Sequence, residues 1–375
     1  MSAEACANTV GAVFPLLAAI IAVAHALSPP PRSASCADTV TSTLGRIAER
    51  IYAQAESGPN VRDSVRRLED SAALADAVTR GDRRATLRAL RPLLKHQIRR
   101  VVIRDARGRV LASIGHAPAL APVRGRLPHA AGTYVLSTAT DAEIAGITRA
   151  ITGATVSLTK IGVRPFRERL RFSFGGERFP GGRLRITLAP RAATADACRA
   201  TRAQTVAATI ASVGERLYRT EASGASTQRV LRHVAADAPF RRAVVDDQPQ
   251  ALWDAVVRFF RTRWMHVVRI RATMADGRLV NDVGGPYVLA PASRTLYGAG
   301  HRRIGRVTLS VQDDTGFIKL MHRFTGAEVV LRTPRGVVPG SAPNPPPPGP
   351  HWQRFTFTGR AFPTGPLTIT LLAPV

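Results

Sequence analysis

The stretch Val267–Arg271 (VVRIR) puts arginine at alternate positions. Read as a strand, it turns Val268 and Ile270 to one face and Arg269 and Arg271 to the other. Two guanidiniums on one face suit a carboxylate or phosphate, because arginine grips planar anions through paired hydrogen bonds. The same pattern also describes two solvated arginines in a chain rich in them. Asp313-Asp314 at a strand-to-helix junction suits an ammonium group or a metal, but it also suits a helix cap. The matching Thr140-Asp141 of the first half is a capping pair, which favours the cap. Nine His occur without HExxH or a close Cys/His cluster, and three Lys form no Walker A loop. No GxSxG nucleophile elbow is present either. The expectation is a protein with no catalytic residue, no metal site and no cofactor.

The elements that must hold these residues are written twice. IAERIYAQAESG (Ile47–Gly58) matches VGERLYRTEASG (Val213–Gly224) at an offset of 166. Gly108-Arg109 and Leu120-Ala121-Pro122 recur at an offset of 169 as Gly277-Arg278 and Leu289-Ala290-Pro291. Thr152-Gly153-Ala154 recurs at 173, and Phe172–Leu188 recurs at 183 as Phe355–Leu371 with ten identities in 17 positions. The order is collinear, and the offset grows only in turn-like composition, as in diverged copies of one fold.

Each copy opens with apolar residues at helical spacing, over Asp38–Ser57 and Arg202–Ser223. Further helices are expected over Ser64–Val78 and Arg83–Gln97, matched by Thr227–Val244 and Gln250–Arg263. The period then switches to two. Strands are expected over Val101–Arg104, Arg109–Ser113, Thr133–Ser137, Thr155–Leu158, Leu170–Phe174 and Leu184–Leu188. Their counterparts are Val267–Arg271, Arg278–Asn281, Arg306–Gln312, Glu328–Thr333, Phe355–Phe357 and Leu367–Leu372. Short helices, Asp141–Ile151 and Asp314–Phe324, interrupt the strands. Trp264 and Met265 are expected in the core. Pro345–Pro348 reads as a polyproline II stretch in a stiff exposed loop rather than a docking motif.

Thr9–Leu27 is a nearly unbroken apolar run of 19 residues, followed by Ser28-Pro29-Pro30-Pro31. As a helix it would rise about 28 Å, close to the thickness of a bilayer core. It reads as a signal peptide, with Ala24-His25-Ala26 as cleavage pattern, or as a retained N-terminal anchor. The flanking charges run the other way: Met1–Asn8 has no Lys or Arg, while Arg32, Arg46 and Arg50 follow the run, favouring a cytoplasmic body. Export is preferred. Beyond Cys6 the chain keeps Cys36 and Cys198, which permit one disulfide in an oxidising compartment or stand as two free thiols.

The 375 residues carry 53 Lys and Arg against 26 Asp and Glu, a net charge of +27. Such an excess suggests nucleic acid. However, 50 of the 53 are Arg, with 27 up to Arg191 and 23 after it, and no basic tail exists. Even scatter alongside abundant Ala, Gly and Pro fits a GC-rich codon bias, and nucleic-acid binding is not the favoured expectation.

The order of export segment, long helix, apolar-apolar-x-Arg…Asp-Gly-Arg turn and paired closing strands resembles the single-Cache domain, a PAS-like extracytoplasmic sensor module. Val267–Val280 (VVRIRATMADGRLV), Gly305–Thr333 (GRVTLSVQDDTGFIKLMHRFTGAEVVLRT) and Phe355–Leu371 carry the resemblance. The first copy keeps the turn in Val101–Leu111 (VVIRDARGRVL), but Thr138–Glu143 replaces the Gln-Asp-Asp-x-Gly segment. The resemblance implies an α+β fold of two tandem modules, each a long N-terminal helix plus a mainly antiparallel sheet flanked by helices. It also implies a ligand against one sheet face under the loop after the second strand, Asp282–Tyr297 or Gly115–Leu127. Tyr287, Tyr297 and His301 lie in or beside that loop and join Arg269 and Arg271 as candidate ligand contacts.

The expected organisation is 1–28 signal peptide or anchor, 29–35 linker, 36–190 first module, 191–197 linker and 198–375 second module. The expected function is that of an extracytoplasmic, sensor-type small-molecule-binding protein, anchored in the cell membrane or secreted, with no effector domain. Its ligand is anionic if the arginine pair contacts it, and its output would pass to a membrane signalling partner. The alternatives are a cell-envelope interaction module with degenerate pockets and a basic cytoplasmic nucleic-acid binder.

Overall fold

The computed structural model describes residues 35–94, 98–115, 118–163, 170–190, 197–341, 351–363 and 365–375. The apolar run, both linkers in large part and Pro345–Pro348 lie outside the described residues. In the first half, α1 (Cys36–Ser57), α2 (Pro59–Glu69), α3 (Ala72–Thr79) and α4 (Arg83–Leu90) precede β1 (Arg100–Asp105) and β2 (Val110–Ile114). β3 (Ala119–Leu120), β4 (Val123–Arg126), β5 (Gly132–Ser137) and β6 (Ala139–Thr140) lead to α5 (Asp141–Thr152), and β7 (Thr155–Lys160), β8 (Phe172–Glu177) and β9 (Arg183–Ala189) close the half.

The second half repeats that order. It comprises α6 (Arg202–Ser223), α7 (Ala225–Ala236), α8 (Ala238–Val245) and α9 (Pro249–Arg261), then β10 (Arg269–Met274), β11 (Leu279–Gly284) and β12 (Val288–Leu289). β13 (Ala292–Tyr297), β14 (Arg303–Ser310), β15 (Gln312–Asp313) and α10 (Asp314–Thr325) follow, then β16 (Glu328–Thr333), β17 (Gly336–Val337), β18 (Trp352–Phe362) and β19 (Gly365–Pro374). The fold is α+β, and its strand pairs are antiparallel.

Each half builds an upper and a lower sheet, and the first half adds the two-stranded β3-β6. The upper ones run β2-β1-β5-β4 and β11-β10-β14-β13; the lower ones are β7-β9-β8 and the six-stranded β15-β12-β18-β19-β16-β17. Alternation decides which face is buried. Val101 and Ile103 turn towards Leu68, Leu74 and Leu90, and Ile270 and Ala272 turn towards Leu231, Phe240 and Leu252.

Two expected helices are broken. The single helix over Ser64–Val78 is α2 and α3, because the Ser71 hydroxyl accepts from Leu74 N and starts a new helix. Likewise α7 stops at Asp237, whose carboxylate accepts from Phe240 N at 2.8 Å and caps α8. The loops expected to cover a ligand are corrected too. Asp282–Tyr297 contains β12 and β13, and Gly115–Leu127 contains β3 and β4. Val288 and Leu289 are buried because β12 pairs with β15 and β18 and ties the segment into the lower sheet. Trp264 is 48% exposed, edge-on to His233, while Met265 is core.

The halves interlock. Ile47 and Ile51 of α1 share one core with Ile210 and Leu217 of α6 and with Phe317 and Leu371. The Cys36–Cys198 disulfide, with Cα atoms 5.7 Å apart, pins the start of α1 to the segment before α6. A reciprocal contact completes the junction. The Arg50 guanidinium lies over Gly326 at the end of α10, and the equivalent Arg216 lies over Gly153 at the end of α5. Both glycines are left-handed, with φ of 74° and 71°. Each arginine therefore places positive charge at the negative end of a helix belonging to the other half.

Two more devices recur in register. The buried Ser137 hydroxyl donates to Leu120 O, as Ser310 donates to Leu289 O. The Tyr52 hydroxyl accepts from Glu177 N at 2.6 Å, and Tyr218 accepts from Arg360 N at 2.5 Å. Among the described residues no helix is long and apolar enough to cross a membrane.

Candidate anion-binding sites

β10 places the arginine pair opposite its apolar face, with Ile270 buried and both guanidiniums on the other side. They are not free. Arg269 donates to both oxygens of Asp282, Nε to Oδ1 at 2.8 Å and Nη2 to Oδ2 at 2.9 Å. Arg271 donates to Oδ2 of the same carboxylate at 3.0 and 2.5 Å. Arg269 Nη1 also reaches Gly285 O at 2.6 Å. Both guanidiniums lie over the Phe362 ring, 5.3 and 5.2 Å from its centre. Burial works against the Asp282 charge, yet the hydrogen bonds from Arg269 and Arg271 outweigh it and hold its pKa below the ordinary carboxylate range. Two cations share one anion, so a surplus positive charge remains on a face whose hydrogen-bonding positions are largely taken.

The five candidate contacts fall into two groups. Tyr287 sits near the arginine pair, in the segment that supplies Gly285, and is 39% exposed. Tyr297 and His301 lie at the far end of the sheet. Arg269 pairs with Ser310 and Tyr297 with Arg303, seven residues along β14, or about 23 Å at ~3.3 Å per residue. The cause is β13, which carries the chain away from Arg269 where a short covering loop was expected. Tyr297 instead edges a shallow groove of about 390 Å³ with Arg241, Arg242 and Ile304. His301 is exposed, in a turn at φ 57°.

Asp313 caps α10, its carboxylate accepting from Gly316 N at 2.7 Å. Burial, with Asp313 alongside, raises the pKa of Asp314. Among the described residues no group of three or more His, Cys, Asp or Glu is placed to hold a metal ion.

The larger opening lies between the two long helices, a cleft of about 650 Å³. Arg46 and Arg50, one turn apart on α1, face Arg202 at the start of α6 across it, with Thr39, Val206 and Ile210 in the walls. No Asp or Glu side chain among the described residues lines it. Among the described residues none of the three guanidiniums makes a hydrogen bond or ion pair. The Ser42 and Thr43 hydroxyls donate to Thr39 O of their own helix at 3.0 and 2.8 Å. The guanidiniums are therefore the donors left for an incoming group. The volume falls in the range of small-molecule sites. Sequence reasoning missed this cleft because Arg202 is more than 150 residues from Arg46 and Arg50 and only helix packing joins them. One signal was present: Arg50 recurs as Arg216 in the repeated helix.

No protein-family profile matches the chain, and no curated protein matches it. Among solved structures, the periplasmic domain of Vibrio cholerae LuxQ is similar at a TM-score of 0.32 and 11% identity. That likeness covers 44% of this chain and 98% of the other. The score is too low to bear on fold or function.

Proposed function

We propose that the protein is an extracytoplasmic, non-catalytic binding protein of the sensor type that takes a small anionic molecule between α1 and α6. The observation that carries this is the cleft itself, with the guanidiniums of Arg46, Arg50 and Arg202 drawn from both halves and, among the described residues, no Asp or Glu side chain in its walls, which Pro374 and Val375 complete. An anion bridging Arg46 and Arg202 would join the two halves at the helices on which the shared core is built. Occupancy would thereby change how firmly those helices hold together, a state that a membrane partner can read. The compartment rests on the apolar run Thr9–Leu27 and on the Cys36–Cys198 disulfide, which persists in oxidising surroundings.

Thermal-shift screening against pools of anionic metabolites tests the binding. A ligand that binds only the folded state raises the melting temperature by mass action. A reporter fused after Val375 that is active only outside the cytoplasm tests the compartment. An inactive reporter together with steeply salt-dependent DNA binding would instead support a nucleic-acid binder. The exposed Trp253 and Trp264, 46% and 48% accessible, favour a second reading as an envelope interaction module. Partner capture that is lost on their substitution, with no shift from any pool, would support it.

A further inference from the structure

The two halves present the same guanidinium on the same aromatic ring but answer it differently. Arg100 opens β1 opposite Ser137, just as Arg269 opens β10 opposite Ser310. Arg100 Cζ lies 4.8 Å from the centre of the Phe179 ring, and Arg269 Cζ lies 5.3 Å from that of Phe362. Phe179 and Phe362 are themselves equivalent in the repeat. In the second half Asp282, opposite Arg271, fills the Arg269 fork through Nε and Nη2. In the first half the residue at that register position, opposite Val102, is Ser113. Among the described residues no carboxylate takes its place, and Arg100 Nε is buried without a hydrogen-bond partner. A buried donor left unpaired is costly, and a charged one more so.

We infer that Arg100 forms a second anion site, separate from the inter-helix cleft, which binds the carboxylate of a small molecule where the second half carries its own in Asp282. The ring of Phe179, with Val102 and Ala119, provides the apolar surface beside it. Ser113 is exposed on the neighbouring strand, opposite Val102, and adds a hydroxyl there. Asp282 is thus a tethered occupant, and acetate is the same group without its tether. The fork selects a planar anion with two oxygens over chloride, because Nε and Nη2 point in parallel.

The test titrates the full chain with acetate, against sodium chloride at equal ionic strength to remove general screening, and reads thermal stability. Wild type is expected to gain stability from acetate beyond the chloride control. Ser113→Asp supplies the carboxylate internally and is expected to weaken acetate binding at least tenfold, as is Arg100→Gln. Asp282→Ser empties the second fork and is expected to enlarge the acetate response. These comparisons are made in the Arg46→Gln/Arg202→Gln background, which removes the cleft's own anion contacts, so that the remaining response reports Arg100. An acetate response no greater than chloride in wild type overturns the inference. So does the absence of a response in the cleft variant, or one retained when Arg100→Gln is added to it. If Ser113→Asp fails to fold, Arg100→Gln and Asp282→Ser still decide the question.

Discussion

Replacing Cys36 and Cys198 together by serine removes the disulfide that cross-links the halves. The bridge spans 162 residues. In the chain-entropy treatment, closing a loop of that length removes ~17 cal/mol/K from the unfolded ensemble, or about 5 kcal/mol at 25 °C. That figure is an upper value, since residual structure in the unfolded chain already restricts it. The native state should change little, because Ile47 and Ile51 still pack on Ile210 and Leu217 without the bridge. Urea unfolding followed by far-ultraviolet circular dichroism should therefore show native helix content at zero denaturant and an unfolding free energy lowered by several kcal/mol. Reducing wild type should reproduce the loss, and reducing the double variant should do nothing further. A loss below about 1 kcal/mol would refute the reasoning, because a loop of this length should contribute several times that.

Burial raises the Tyr52 pKa to about 12, so its neutral form is favoured in the folded state. Its stabilising contribution is complete below pH ~10, the unfolded value, and is lost as pH rises through about 12. Urea midpoints measured across that window should fall less steeply in Tyr52→Phe than in wild type. Gly326→Ala adds left-handed strain and sets a Cβ 2.5 Å from Arg50 Nη1, whereas Gly277→Ala at φ 91° meets nothing within 4 Å. Denaturation should show each substitution costing about 1 kcal/mol for the left-handed strain; because the Arg50 guanidinium can swing away from the new methyl, any extra cost at Gly326 measures the loss of its charge at the end of α10.

What the sequence made legible was periodic and local. Val101/Ile103 and Ile270/Ala272 could be assigned to a buried face because alternation in a half-buried strand is a property of a few neighbouring residues. The duplication was legible for the same reason, since Tyr52 and Tyr218 sit in matching strings of residues. Helix breaks at Ser71 and Asp237 were missed, because a cap in mid-pattern competes with an apolar stripe that continues through it. β4 and β13 were missed as strands: Val123–Arg126 and Ala292–Tyr297 lie at sheet edges, where the weak alternation of ASRTLY reads as loop. The arginine pair was found from its spacing, but its partner Asp282 sits on the neighbouring strand, and only the register reveals that it fills the site. The cleft lay beyond reach altogether, since neither Arg46 nor Arg202 differs locally from other exposed helical arginines. It exists only because α1 and α6 pack side by side.

The anion-binding cleft is tested most directly by titration calorimetry of the best anionic hit from the thermal screen, with wild type beside Arg46→Gln/Arg202→Gln. Losing two charge-assisted contacts at ~1.5–3 kcal/mol each should weaken binding by about a hundredfold or more, with folding and the Cys36–Cys198 bridge intact. Affinity unchanged in the variant, or no anionic ligand for wild type at all, would contradict the account.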